Sequence, residues 1–283
     1  MAEGGATAFV PGHVTGFFCP RWREDPARTG SIGAGLTLSD GVSVRIDPAE
    51  TPQIELNGET VAMDAVERVI DGLGRSVSVT AESPLPLGTG FGVSGAMALG
   101  TALAINHRFG LARSENELVT VAHEAEVQAG TGLGDVVAQA HGGIPIRLAP
   151  GAPGHGGIDA IPTTTTLEYL TYGELDTQSV LRGDTSALES AGRRALSDLT
   201  ERPTLPCLAE VSRRFGQATG LQTSRVTETI DDVLAVGGEA IMAMLGETVV
   251  SFGSGLSDAG YRPRRCSVHP PGATILNHPD GDQ

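Results

Sequence analysis

Between Pro86 and Ala96 the chain reads Pro-Leu-Gly-Thr-Gly-Phe-Gly-Val-Ser-Gly-Ala, a glycine-rich turn set between a strand-like run and a helix-like one. Glycines at Gly88, Gly90, Gly92 and Gly95 let the backbone turn tightly and approach a ligand with no Cβ in the way. The helix that follows offers unpaired N–H groups and the positive end of its dipole, which suits a phosphate. Ser94 adds a hydroxyl at that end, where it can touch a phosphate or a bound Mg²⁺. The plain alternative is a glycine turn ahead of a well-packed helix. Gly90–Gly95 also satisfies G-x-G-x-x-G, but a dinucleotide site needs a second strand ending in an acidic residue ~20 positions on. That region reads as another helix, Ser114 to about Gln128, which argues against it. A Walker A loop is excluded because it needs a Lys and the chain has none.

Four further residues have the chemistry to complete such a site. Glu126 falls at the edge of the inward face of the Ser114 helix, beside Val119 and Ala122, while Glu124 points away. A buried-edge carboxylate is costly unless it is paired or metal-bound, so Glu126 is the better Mg²⁺ candidate; a structural ion pair or a frayed helix end is the competing role. His123 lies one turn earlier on a neighbouring face and reaches toward the same pocket, unless it is simply structural. Asp135 follows a second glycine turn, Gly130–Gly134, and opens a helix, so it is either an N-cap or a site carboxylate. Arg147 alternates away from Ile144, Ile146 and Leu148 on a short strand. Its guanidinium suits a substrate carboxylate, or is a solvated edge charge.

The elements that position these residues follow from periodicity. Alternating stretches predict strands at Gly41–Ile46, Gln53–Leu56, Ser76–Thr80, Ile144–Leu148, Thr164–Thr171 and Thr248–Phe252. Helical spacing predicts Val61–Leu73, Val93–Phe109, a helix from Ser114, one from Asp135 to Gly142, and two or three more between Gln178 and Ala243. Ser114 and Glu117 form a capping-box pattern. Val10–Gly16 reads as a glycine-rich lead into Phe17 and Phe18. The Gly/Pro-rich stretch Pro150–Gly157 is the expected domain boundary, giving units 1–149 and 150–283. Strands and helices without regular βαβ alternation predict an α+β fold.

Composition narrows the setting. The 19 basic residues are all Arg, and the formal charge is −15. Acidity of this size opposes non-specific binding to nucleic acid or anionic membrane. With few aromatics and no Lys, it reads as adaptation to a salty cytoplasm, because molar salt shortens the Debye length to ~3 Å and screens self-repulsion. The start of the chain lacks a signal-peptide pattern, no apolar run is long enough for a membrane span, and three scattered cysteines suit a reduced compartment, so a cytoplasmic protein is expected.

The Pro-x-x-x-Gly-Phe-Gly-x-Ser-Gly-Ala wording resembles the phosphate-binding motif of the GHMP kinases, the superfamily of galactokinase, homoserine kinase and mevalonate kinase. Pro11–Phe18, Asp25–Gly35 and Ala243–Val249 are similar to the archaeal pantoate kinase branch, and the likeness covers nearly the whole chain. Many relatives carry a more glycine-rich third motif than Ala243–Val249. The resemblance implies two α+β halves, ribosomal-protein-S5-like then ferredoxin-like, with the active site between them. It implies ATP and Mg²⁺ as cofactors, pantoate as acceptor, and by analogy a homodimer. Pro86, Gly88, Gly90, Gly92, Ser94, Gly95, Ala96 and, on the same likeness, Thr177 then serve the nucleotide. Ser94 and Glu126 hold the metal, Asp135 is catalytic, and His13, Ser31, His123 and Arg147 fall on the substrate side. Homoserine or mevalonate as acceptor, or a non-catalytic ATP sensor, are the alternatives.

Overall fold

The computed structural model describes residues 6–175 and 185–276. Two long strands, β1 (Ala6–Arg21) and β2 (Gly30–Pro48), pair antiparallel and form the spine. They are followed by β3 (Ile54–Leu56), β4 (Glu59–Thr60), α1 (Asp64–Gly72) and β5 (Val77–Glu82). Next come α2 (Val93–Phe109), α3 (Glu115–Ala129), α4 (Asp135–His141), β6 (Pro145–Ala149) and β7 (Gly157–Ala160). The remainder is β8 (Thr166–Glu174), α5 (Ser186–Glu201), α6 (Leu205–Thr219), α7 (Ser224–Ala235), β9 (Glu239–Ala243), β10 (Gly246–Phe252), α8 (Gly255–Asp258), β11 (Arg264–Ser267) and β12 (Thr274–Leu276). The first sheet runs β12-β1-β2-β5-β3-β4, with β6 on β2 and β7 on β6; the second runs β11-β8-β10-β9. This is the expected α+β class. Among the described residues no helix is long and apolar enough to cross a membrane.

The strand through Val10–Phe18 carries no alternation because both of its faces are covered, α2 on one side and α5 and α6 on the other. A strand buried on both faces does not advertise itself by period 2. Glycine makes the double cover possible. Gly192 of α5 lies so close to β1 that a Cβ there would stand 2.4 Å from the Phe18 carbonyl oxygen. Sheet membership also crosses residue 149: β7 continues the first sheet to Ala160, and β12 returns to pair with β1. Helix α6 packs on β1 of the first sheet and β9 of the second, tying the two together.

Local chemistry sets the helix ends that matter for the site. The Ser114 capping box forms, with the Glu117 carboxylate accepting from Ser114 N at 2.8 Å. Helix α3 stops at Gly130 in the left-handed region, φ 72°, which releases the chain into the turn before Asp135. Helix α2 starts at Gly92, also left-handed, φ 63°.

Gly192→Ala places a methyl against backbone that has no room to yield. The expected net loss is about 2 kcal/mol in urea unfolding, an overpacking cost of up to ~3 offset by about 1 of helix propensity. An unchanged midpoint would show that α5 does not press on β1 as described.

Candidate active site

Three glycines in the left-handed region, Gly88 (φ 77°), Gly90 (φ 90°) and Gly92 (φ 63°), curl the loop between β5 and α2. Its own residues pin it. Phe91 is buried edge-on to Tyr169, with ring centres 5.0 Å apart, and the Phe91 carbonyl accepts from His13 N at 2.9 Å. The Thr89 carbonyl accepts from the Thr248 hydroxyl at 2.8 Å, so β10 of the second sheet holds the loop from the far side. The first-turn N–H groups of α2 then open onto a cavity of about 380 Å³. Gly88, Gly90, Gly92, Ser94 and Gly95 line it. Pro86 and Ala96 do not: Pro86 accepts from the Thr89 hydroxyl, and the Ala96 N–H closes the first turn of α2 onto Gly92. The opposite wall is Ala62–Ala65 at the start of α1, with Met244 and Leu245 from the β9–β10 turn. Leu245 holds a positive φ of 66°, a strained conformation for a side chain of its kind.

Glu126 faces this cavity and is 3% exposed. Its Oε1 accepts from the Ser94 hydroxyl at 2.5 Å and from Thr131 at 2.7 Å. Oε2 lies against Gly132, where a Cβ would stand 2.2 Å from it. Burial pushes the carboxyl up to about 7, against the two hydroxyl bonds, and the Asp135 charge adds to the rise. The donor set is all oxygen and small. Among the described residues no three His, Cys, Asp or Glu side chains gather to hold a metal. That fits Mg²⁺, which is held by one or two carboxylates plus substrate phosphates and keeps several waters.

Asp135 lines the same cavity, and its neighbour Gly134 lines a second one of about 220 Å³. The two cavities therefore adjoin at the start of α4. Asp135 Oδ1 accepts from His13 Nδ1 at 2.7 Å, across 122 residues of sequence. Burial raises the Asp135 carboxyl, but the His13 bond and the Arg147 charge outweigh it and hold the group below the usual carboxylate range. Burial lowers His13, which is neutral and donates from Nδ1. Its Nε2 has no hydrogen-bond partner among the described residues.

The second cavity has an apolar wall of Val119, Leu133, Val137, Ala140 and Ile158, with Ser31 and Arg147 at its base. Arg147 is 3% exposed; Nε and Nη2 each donate to Ser31 at 3.3 Å, and Nη1 has no hydrogen-bond partner among the described residues. Gly134 leaves the room it occupies, since a Cβ would lie 2.6 Å from Nε. Alternation does not hold along β6: Leu148 is 45% exposed while Ile146 and Arg147 are both buried, and the pairing with β7 is irregular between Arg147 and Ala149.

The structure thus brings Ser94, Glu126, Asp135, Ser31, Arg147 and the loop glycines to two adjoining cavities. His13 and His123 line neither; His13 backs Asp135, and His123 Nε2 donates to the Thr29 carbonyl at 2.8 Å. Thr177 lies outside the described residues. Thr131, Gln139, Thr248 and Ala62–Ala65 escaped the sequence reading. Only Thr131 carried a usable signal, a hydroxyl inside the glycine turn five residues after Glu126.

A family model described as "GHMP kinases N terminal domain" matches residues 60–143. The chain is 37% identical over 266 residues to a pantoate kinase of Thermococcus kodakarensis, covering 85% of each protein. It is 34% identical to a pantoate kinase of Methanocaldococcus jannaschii, covering 85% of this chain and 90% of that one. A solved structure described as "Phosphotransferase related to CoA biosynthesis pathway" superposes with a TM-score of 0.85 at 30% identity, covering 96% of this chain and 99% of that one. Mevalonate-3-kinase of Thermoplasma acidophilum shares the fold, with a TM-score of 0.67 at 13% identity and coverage of 96% and 98%. The phosphate cradle on a two-sheet α+β fold is that of a small-molecule kinase. The chain belongs to the GHMP kinases and, within them, to the pantoate kinase family.

Glu126 titrates higher folded than unfolded, so without divalent cations its contribution to stability is complete below pH ~4.5 and is lost as pH rises through 7. Glu126→Gln removes that loss. In EDTA, relative to wild type, the variant gains up to about 3 kcal/mol between pH 5 and pH 8, at 1.36 kcal/mol per pH unit. Parallel stability curves for the two proteins would contradict the burial of this carboxyl.

Proposed function

We propose that the protein transfers the γ-phosphoryl group of ATP to the primary hydroxyl of pantoate, giving ADP and 4-phosphopantoate for coenzyme A biosynthesis. The observation that carries this is that Asp135 lines the glycine-loop cavity next to Gly134, which lines a pocket holding a buried guanidinium whose charge Asp135 feels. The loop glycines and the α2 terminus hold the phosphates, and the apolar residues at Ala62–Ala65 and Leu245 accept the base. Ser94 and Glu126 hold Mg²⁺, which neutralises charge on the phosphate oxygens. Arg147 and Ser31 bind the acceptor carboxylate, and Val119, Val137 and Ile158 meet its methyl groups. The hydroxyl oxygen attacks the γ-phosphorus as the bond to the β,γ-bridging oxygen breaks. Asp135 orients the hydroxyl and takes its proton. His13, behind it, fixes the carboxylate. His123 serves this side indirectly, through the Thr29 backbone beside Ser31. Homoserine fits less well, because its ammonium would enter a pocket whose single lining carboxylate, Glu115, is exposed.

ATP- and Mg²⁺-dependent phosphorylation is to be measured with pantoate, homoserine and mevalonate. We expect preference for pantoate, a loss of about 10³-fold in kcat for Asp135→Ala, and a rise of roughly 10- to 100-fold in the pantoate KM for Arg147→Met. Turnover of another acceptor instead would overturn the substrate, and absence of transfer by wild type that binds ATP would leave a sensor.

The composition supports work in a salt-rich cytoplasm, and the family resemblance supports a homodimer. With 19 Arg, no Lys and a formal −15, self-repulsion is strong in dilute buffer. Activity and helical circular dichroism should both fall when molar KCl is replaced by dilute buffer; indifference to KCl would sink this reading.

A further inference from the structure

Gln139 lies one turn below Asp135 on α4 and is fully buried. Its Nε2 donates to the Gly92 carbonyl at 2.9 Å, the same oxygen that accepts the first helical bond of α2 from Ala96 at 3.0 Å. Gly92 fits tightly between the two α4 side chains: a Cβ on it would stand 3.0 Å from Gln139 Nε2 and 3.2 Å from Cβ and Cγ of Asp135. In a trans peptide the C=O and the following N–H point in opposite directions. Holding the Gly92 oxygen toward α4 therefore aims the Val93 N–H away from α4, at the mouth of the cradle. Next to a left-handed glycine that peptide plane is held within its own helix only by the end-of-helix Ala96 bond, and the Gln139 amide supplies a second anchor.

A second observation separates this contact from ordinary packing. Gln139 Oε1 is buried and has no hydrogen-bond partner among the described residues, and it faces Gly95, where a Cβ would stand 3.2 Å from it and no side chain offers a donor. A buried amide that satisfies only its donor end is a net burden on stability, and an apolar side chain of the same length would pack there without it. From the other side the Gln139 carbonyl accepts from Ala273 N at 3.0 Å, so α4 is itself clamped.

We infer that Gln139 is a positioning residue that locks the Gly92–Val93 peptide of the phosphate cradle to the helix carrying Asp135, setting nucleotide affinity and the placement of the γ-phosphate over that carboxylate. This rests on reading the larger cavity as the nucleotide site. Gln139→Met keeps the length and loses the donor, removes the amide's unpaired oxygen, and leaves the Gly92 oxygen its Ala96 bond. Mg·ADP binding by calorimetry, thermal stability and both KM values should be measured on the full chain. The expected result is a Tm equal to or above wild type, about tenfold weaker Mg·ADP binding, a matching rise in the ATP KM, and an unchanged pantoate KM. Gln139→Glu, which sets a carboxylate against the Gly92 oxygen, should bind the nucleotide more weakly still. If wild type binds Mg·ADP and Gln139→Met binds it equally, the positioning role is wrong and the nucleotide site stands. A lower Tm with ATP and pantoate parameters falling together would make Gln139 merely structural. No Mg·ADP binding by wild type would overturn both readings.

Discussion

An ionised carboxylate held between a buried imidazole and a buried guanidinium is the arrangement that the site is built around. Asp135 Oδ1 accepts a hydrogen bond from His13 Nδ1 at 2.7 Å and feels the charge of Arg147, and neither basic group is more than 3% exposed. Burying the two basic groups beside a partly exposed carboxylate is expensive unless each has a partner. Here the satisfaction is incomplete: among the described residues His13 Nε2 and Arg147 Nη1 find no hydrogen-bond partner. A protein selected only for stability would not keep these residues in place. The unsatisfied guanidinium donor is what the proposed roles call for, an anion at Arg147 and a hydroxyl at Asp135.

That arrangement needs backbone to come unusually close, and glycine supplies the space. Gly134 makes room for the Arg147 guanidinium and Gly132 for the Glu126 carboxylate. Gly35 faces the His13 ring, where a Cβ would lie 2.5 Å from Nε2. Of these only Gly35 belongs to the glycine-rich first forty residues, where it makes room for the imidazole inside the sheet. The second sheet contributes in kind: Gly246 presses on the Thr89 carbonyl and Thr248 donates to it, so the β9–β10 turn supports the cradle even though its wording is less glycine-rich than in many relatives.

The local rules were strong enough to fix much of this from the sequence. The turn Gly88–Gly92 and the helix from Val93 follow from glycine freedom and helical spacing, and the Ser114 capping box from one hydroxyl and one carboxylate three residues apart. Glu126 and Asp135 were legible as carboxylates at a buried edge and a helix start. Sequence alone also determined what was impossible, since a chain without Lys has no Walker A loop. Only the tertiary structure decided the rest, because it depends on contacts between distant segments. Residues 6–21 carry no alternation, as helices cover both faces of that strand, and the return of β12 to β1 is a pairing of the two ends of the described chain. His13 becomes the partner of Asp135 and not a lining residue because β1 passes beneath α4, a crossing that no spacing within either segment records. Gln139 had no signal either: an amide inside a short helix becomes informative only once the carbonyl it faces, 47 residues away, is known.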